Sequence, residues 1–412
     1  MATCLPESTV NAANLTGEAL ESHFAHVTNQ TARFRTYPMH GYGGYDGPWI
    51  ENLWIRQFCC NTTDRAARFG RFVPLFVQWT DIWTKSRNDD RVCHQHGSCR
   101  MHPPTAAYSS LHEALRRLLR PDVLYVTVSQ HDDGIGGRNM IRLGGGWSPA
   151  QWPNLLVISS GGVGHVPIPL LKGEVRVGAD NLTAELPEYG KESALAYWGG
   201  SETTHPLRGA MMNALHDLHA PDGWPAVLPR NGCVTPTELG RQMRSTRFVL
   251  TPRGYGRSAF MIAEAIQAGA VPIYVYNDLE WLPYLSLWES DRLGLSVHYR
   301  NLTATLGPWL RCHGSDDSTH RAETGSMPAC ALLRAQYKRM RKGVEHYRHL
   351  FTFEGTMQAV KDFLATGDRS GPLHCGPSVH PQINSATMWG RDESDLRAGN
   401  TSRPAVRSDR CH

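Results

Sequence analysis

Residues 247–284 read RFVLTPRGYGRSAFMIAEAIQAGAVPIYVYNDLEWLPY, and the fold follows from this stretch. Arg247 to Thr251 is a short β-rich run that stops at Pro252, which has no N–H to give a central ladder. Gly254 and Gly256 open a loop where positive φ and close approach of a ligand to backbone are permitted. Ser258 stands as N-cap, and Phe260, Ile262, Ala263 and Ile266 supply an apolar helical face. Gly269 falls where a helix C′ glycine belongs. Val271 to Tyr276 is a buried-type strand that ends in the turn-like Asn277-Asp278. Strand, glycine loop, helix and strand make a βαβ unit with parallel strands.

The loop and helix N-terminus of such a unit form an anion site, because N–H groups point outward and the dipole favours negative charge. Arg253 and Arg257 flank the loop, and a guanidinium matches phosphate oxygens in bidentate fashion. Glu264 lies too deep to cap the helix and is suited to accept hydrogen bonds from sugar hydroxyls. An ordinary βαβ unit with solvated arginines is the competing reading, since Gly-x-Gly lacks the third glycine of a dinucleotide fingerprint.

The 412 residues make two domains the default, and 41% hydrophobic with 19% charged residues is a globular balance. A net charge of +4 is small for this size and argues against nucleic acid as the main partner. Ten cysteines occur together with Asn-x-Ser/Thr sequons at Asn14, Asn29, Asn61, Asn181, Asn301 and Asn400. That combination places the chain in the lumen of the secretory pathway, with the Golgi the expected station. The opening MATCLPESTVNAANLTGEAL has neither a basic nor an apolar leader segment, so a luminal domain separated from its N-terminal anchor is expected, with no other membrane contact.

Upstream, Gly70 to Trp79 reads as a buried strand, Leu111 to Leu119 as an amphipathic helix and Asp122 to Ser129 as a second buried strand. That strand delivers His131, Asp132 and Asp133 to a loop at its C-terminal end, where parallel sheets place ligands; simple loop polarity is the alternative. Cys93-His-Gln-His-Gly-Ser-Cys99 raises zinc, but a disulfide-closed loop suits an oxidising lumen better. Val175 to Glu192 is the linker candidate. Ala194 to Gly200 begins a second domain with a strand and a glycine turn, and Arg208 opens an amphipathic segment. The expected division is 1–185, 186–365 and a polar tail over 366–412, with Cys312 paired to Cys330 and with Cys375 and Cys411 available to tie the tail down.

Pro252-Arg253-Gly254, Glu264-Ala265 and Gly269-Ala-Val-Pro272-Ile273 together resemble the signature of the exostosin family of glycosyltransferases, as does Asp278-Leu-Glu-Trp-Leu-Pro283. Further similarity lies in Tyr42, Tyr45 and Glu51, in the strand at 70–79, in the passage 122–169 and in Ala194–Gly200, so roughly residues 40–300 are covered. Many members carry an arginine where Met261 stands; Arg257 is its substitute. The resemblance implies an α/β chain of two Rossmann-like domains facing a cleft. It implies an inverting transfer of a sugar from a nucleotide sugar, most often UDP-linked, to a glycan or glycoprotein acceptor. The donor would meet Arg208, Arg253, Gly254, Gly256, Arg257, Ser258 and Glu264, with no metal or other cofactor. The base is expected among His131, Asp132 and Asp133 on the acceptor side. A binding module without catalysis on the same fold is the rival expectation; a zinc hydrolase built on 93–99 would need ligands that no spacing supplies.

Overall fold

The computed structural model describes residues 4–35, 47–59, 68–82, 91–93, 99–101, 106–131, 134–135, 151–172, 192–216, 218, 223–229, 235–313, 327–366 and 371–376. They form α/β structure in two units, each carrying a parallel sheet. One unit gathers Met1–Gly173 with Trp281–Tyr284 and Phe353–Ala386; the other gathers Glu174–Glu280 with Leu285–Thr352. Two returns of the chain to the first unit thus lie beyond a linear division at 185/186. No helix among the described residues is long and apolar enough to cross a membrane.

In the first unit, helices α1 (Glu7–Ala12), α2 (Gly17–Gln30) and α3 (Ile50–Phe58) precede strand β1 (Phe72–Pro74). A two-stranded antiparallel ribbon follows, β2 (Arg91–Cys93) and β3 (Cys99–Met101), with Cys93 opposite Cys99 in register. The intervening residues 94–98 lie outside the described residues. Helix α4 (Ala106–Leu118) leads to β4 (Leu124–Ser129), β5 (Leu155–Ser159) and β6 (Val166–Pro167). The sheet runs β1-β4-β5-β6. Residues 124–129 and 155–159 are buried throughout, as parallel strands covered on both faces require. The strand expected across 70–79 is only Phe72–Pro74; Leu75 still donates its N–H to Val126 O at 2.7 Å, and Gln78 then turns away to donate to Phe34 O.

In the second unit, β7 (Ala196–Trp198), α5 (Pro206–His216), β8 (Val227–Pro229), α6 (Pro236–Ser245), β9 (Phe248–Pro252), α7 (Phe260–Gln267) and β10 (Val271–Tyr276) follow in turn. Helix α8 (Leu285–Glu289), β11 (Leu295–His298), α9 (Leu302–Arg311) and α10 (Met327–Tyr347) complete it. Its sheet order is β11-β10-β9-β7-β8, every pair parallel. Strand order reverses between β7 and β9, and the turns at the carboxyl ends of those two strands diverge, which in open α/β sheets opens the ligand crevice. β10 occupies the expected residues. Helix α7 closes as the sequence indicates: Gly269 has φ +79°, its N–H donates to Ile266 O, and the Ala270 N–H donates to Ala265 O, a Schellman close.

A buried ion pair fixes the entry to this sheet. Arg247 donates from Nη2 to Glu192 Oε2 at 3.0 Å with both side chains out of solvent, and its guanidinium lies 4.9 Å from the Trp224 ring centre. Trp224 in turn donates its indole N–H to Glu192 O.

At the C-terminal side, α11 (Phe353–Thr366) packs on α3 in the first unit. The tail does not simply leave the surface at 366. Cys375 bonds to Cys4, which ties this part of the tail down as expected, and the Gly376 N–H donates to His165 O at 2.7 Å. Cys312 pairs with Cys330 as expected.

Removing one member of the Arg247–Glu192 pair strands a charge that water cannot reach. Glu192→Gln is expected to cost about 3–5 kcal/mol, read as a fall in thermal midpoint. Glu192→Leu with Arg247→Met, which removes both charges, should recover most of that loss; calorimetry on the three proteins is the check.

Candidate functional site

In the second unit the turn after β9 is closed at both ends. The Arg253 N–H donates to Val275 O at 3.2 Å, the Gly254 N–H donates to Ser258 O at 2.9 Å, and the Tyr274 hydroxyl donates to Arg257 O at 2.6 Å. Neither Gly254 nor Gly256 has a positive φ, so backbone handedness is not what position 254 requires. A Cβ there would sit 3.3 Å from Ser258 O and 3.7 Å from Arg208 Nη2; close approach is the requirement. Ser258 is not the N-cap: α7 begins one residue later, Ala259 takes the cap position, and no side chain caps the helix. Its first N–H groups therefore keep the polarity that favours an anion.

Arg253 and Arg257 are buried, which removes the reading of solvated arginines. Their donors are turned inward. Arg253 donates from Nε to Gly256 O at 3.1 Å, from Nη2 to Tyr255 O and from Nη1 to Asn277 Oδ1, while Nη1 also lies 2.9 Å from Asp278 Oδ1. Arg257 donates from Nε to Asp278 Oδ2 at 2.9 Å. One carboxylate bridges both guanidiniums. Burial alone would push the Asp278 carboxyl up, but the two arginines override it and hold it below the usual carboxylate range.

Arg208, on the first turn of α5, is the cation of a different kind. It donates from Nε to Arg253 O and from Nη1 to Ser201 O, each at 3.0 Å, and its guanidinium lies over the Trp198 ring at 5.4 Å. Ser201 belongs to the turn after β7 and Arg253 to the turn after β9, so Arg208 spans the point where strand order reverses. Among the described residues no carboxylate pairs with it. Burial lowers its pKa to about 10, the mark of a cation short of both water and counter-charge.

Glu264 stands one turn into α7, partly exposed. Met261 packs beside the apolar cluster of Tyr197, Met243, Val249, Ala265, Ala268 and Ala270. A guanidinium at position 261 would face that core, which explains how an uncharged residue is accommodated. The structure thus brings together Arg208, Arg253, Gly254, Gly256, Arg257 and Ser258.

In the first unit His131 is buried just past β4, and its carbonyl accepts from the Gly134 N–H. Asp132 and Asp133 lie outside the described residues. Behind His131 is a polar group that the sequence did not flag as chemical. Glu51, on the first turn of α3, is wholly buried. Its Oε1 accepts from the Thr80 hydroxyl at 2.6 Å, the Thr80 N–H at 3.2 Å and the Gln130 N–H at 2.9 Å. Oε2 has no hydrogen-bond partner among the described residues. Burial pushes the Glu51 carboxyl up to about 7, helped by the neighbouring Asp81 charge and opposed by the bonds from Thr80 and Gln130. Asp81 accepts from the Trp49 indole at 2.8 Å and from Asn52 Nδ2 at 3.2 Å. A readable signal existed: Glu51, Trp54 and Phe58 fall at i, i+3 and i+7, placing a carboxylate on the buried stripe of the helix. Asp81 had none.

No family model matches the chain, and no curated protein does. Among solved structures, an alpha,alpha-trehalose-phosphate synthase (UDP-forming) from Burkholderia vietnamiensis is 12% identical, covering 64% of this chain and 76% of its own, at a TM-score of 0.30. An alpha,alpha-trehalose 6-phosphate synthase from Burkholderia multivorans is 11% identical, covering 63% and 75%, also at 0.30. Likeness of that degree is too slight to assign any property to this chain.

Asp278→Ala leaves two buried guanidiniums facing each other. The expected cost is about 3 kcal/mol, the low end for breaking a buried pair because Asp278 keeps some solvent. Since its folded pKa is depressed, the contribution is fully present above the unfolded carboxylate value near 3.9 and is lost as pH falls through the folded value. Urea titrations should show a constant gap between native and variant from about pH 5 upward that narrows on acidification.

Proposed function

We propose that the chain is a glycosyltransferase of the exostosin type, a two-Rossmann (GT-B) enzyme that transfers a sugar from a UDP-linked donor to a glycan or glycoprotein acceptor with inversion. The observation that carries the reading is Arg208: a desolvated guanidinium without a carboxylate partner among the described residues, bridging the two turns at the strand-order reversal. A diphosphate supplies the counter-charge that it lacks. The uncapped N-terminus of α7 supports the same ligand, and Glu264 is the acceptor for a donor hydroxyl.

In this mechanism an acceptor hydroxyl attacks the anomeric carbon in line, a base takes its proton, and the sugar–diphosphate bond breaks. Charge gathering on the leaving diphosphate is met by Arg208, the loop amides and the helix end, so that no metal is called for. Arg253 and Arg257 act one step back: with Asp278 they hold the loop in shape. The base is sought among His131, Asp132 and Asp133 of the first unit. A second reading, a non-catalytic module binding carbohydrate or nucleotide, draws on one observation, the commitment of both loop arginines to an internal carboxylate. A screen of nucleotide sugars for transfer or hydrolysis separates the two, since a module binds without turnover.

The proposed station is the secretory lumen. The disulfides Cys4–Cys375 and Cys312–Cys330 support it, as does the exposure of Asn14, Asn29 and Asn301, the sequon residues that fall among the described residues. Material secreted from a eukaryotic host should lose mass at these three sites on enzymatic deglycosylation; peptide mass spectrometry reads it, and three unmodified asparagines would remove that support.

Arg208→Ala should weaken UDP binding by about 10–100-fold, the equivalent of one charge-assisted hydrogen bond of about 1.5–3 kcal/mol. Arg257→Ala should lower stability more than affinity. Calorimetric titration with UDP measures both; affinity untouched in a folded Arg208 variant would place the diphosphate elsewhere.

A further inference from the structure

The polar group behind His131 is built with more care than a structural contact needs. A carboxylate at position 51 is expensive to bury unless hydrogen bonds meet it. Glu51 is wholly enclosed, and its Oε1 gathers three donors from two separate segments: the Thr80 N–H and hydroxyl, and the Gln130 N–H. Gln130 is the last residue before His131, at the carboxyl end of β4. Its own side chain is fixed at both ends, Oε1 accepting from the Ile50 N–H at 2.9 Å and Nε2 donating to Leu171 O at 2.9 Å. Its carbonyl accepts from the Ser160 hydroxyl on the neighbouring turn after β5. The N–H, the carbonyl and both ends of the side chain of Gln130 are thereby engaged, and Glu51 holds the N–H.

We infer that Glu51 is a positioning residue for the reaction: through the Gln130 N–H it sets the backbone from which His131 projects. Its action on turnover rests on the proposed function; its action on the backbone does not. Burial and the neighbouring Asp81 charge push the Glu51 carboxyl up to about 7, and glutamine is the isosteric replacement that keeps the Oε1 acceptor without a charge. Oε1 is then the acceptor that matters, and any replacement that keeps a carbonyl oxygen at that reach keeps the device.

The inference is tested by comparing Glu51→Gln, Glu51→Asp and Glu51→Ala with the native chain. Aspartate keeps the charge but withdraws the oxygen by one methylene, so it tests reach if the alanine variant fails to fold. Amide hydrogen exchange over 124–135 should speed up about tenfold or more at Gln130 in the aspartate and alanine variants and stay near native in the glutamine variant. With the nucleotide sugar that gives turnover, kcat should fall about 10–100-fold in the aspartate and alanine variants, with donor KM and calorimetric UDP affinity within twofold of native. Glutamine should restore both exchange and kcat. The inference is overturned if aspartate leaves Gln130 protected, if glutamine loses as much kcat as aspartate, or if the loss appears in donor KM instead. Should the native chain bind no UDP at all, the proposed function fails by itself, while the exchange comparison still decides whether Glu51 holds this backbone.

Discussion

Asp278 lies 2.9 Å from a guanidinium nitrogen of Arg253 on one side and of Arg257 on the other, and the turns at the carboxyl end of the second unit's sheet depend on that bridge. Neighbouring strands of a parallel sheet are laddered along their length, but the turns that leave their carboxyl ends have no ladder between them. Here the turn after β10 supplies a carboxylate, and the turn after β9 supplies the two arginines that receive it. The glycine loop is thereby given one shape, at the expense of donors that a phosphate would otherwise meet. The consequence is a separation of tasks. Arg253 and Arg257 define the loop, and Arg208, which approaches from α5, is left as the cation with charge to spare.

The chain buries charge in three distinguishable ways, and the difference is informative. Arg247 and Glu192 neutralise each other under Trp224, a closed arrangement that asks for no further partner. Among the described residues, Arg208 is desolvated without a carboxylate and Glu51 is desolvated with one oxygen unpartnered. A buried charge that is paired is explained by stability and specificity of packing; one that is left short has a cost that folding alone does not justify, and such groups collect where ligands bind or protons move. By that criterion the two incomplete groups, each at the carboxyl end of a parallel sheet, are the ones whose burial packing alone does not explain.

What the sequence made legible follows from how local each cause is. The period of Val271–Tyr276, the glycine after α7 and the position of Arg208 on an amphipathic segment are all set within a few residues, and each is found in the structure. Ser258 was misplaced by one residue because capping preference does not fix where a loop ends; the Gly254–Ser258 hydrogen bond does. Asp278 read as a turn residue because its partners lie 21 and 25 positions upstream. Glu51 stands out in the sequence only by resemblance, since its acceptor role needs β4 and the turn at Thr80 beside it. The return of Trp281–Tyr284 to the first unit, where the Trp281 indole donates to Ser159 O, and the bond from Cys375 to Cys4 are tertiary facts with no local signature.

Position 254 joins these levels. The sequence offers a glycine, and the usual inference is a left-handed backbone, yet the φ there is not positive. What the site needs is space. A guanidinium has five N–H donors; in Arg208, Nε and Nη1 hold the two diverging turns together through Arg253 O and Ser201 O. Nη2 remains, and a Cβ on residue 254 would come to 3.7 Å from it. Any longer side chain would lie across that nitrogen, covering the donor that the rest of the arrangement leaves open. Glycine at 254 keeps the space beside Arg208 Nη2 free of a side chain, while Asp278 holds Arg253 and Arg257 inward. The residue without a side chain and the residue that draws the loop arginines inward thus both leave room beside Arg208 at the reversal of strand order.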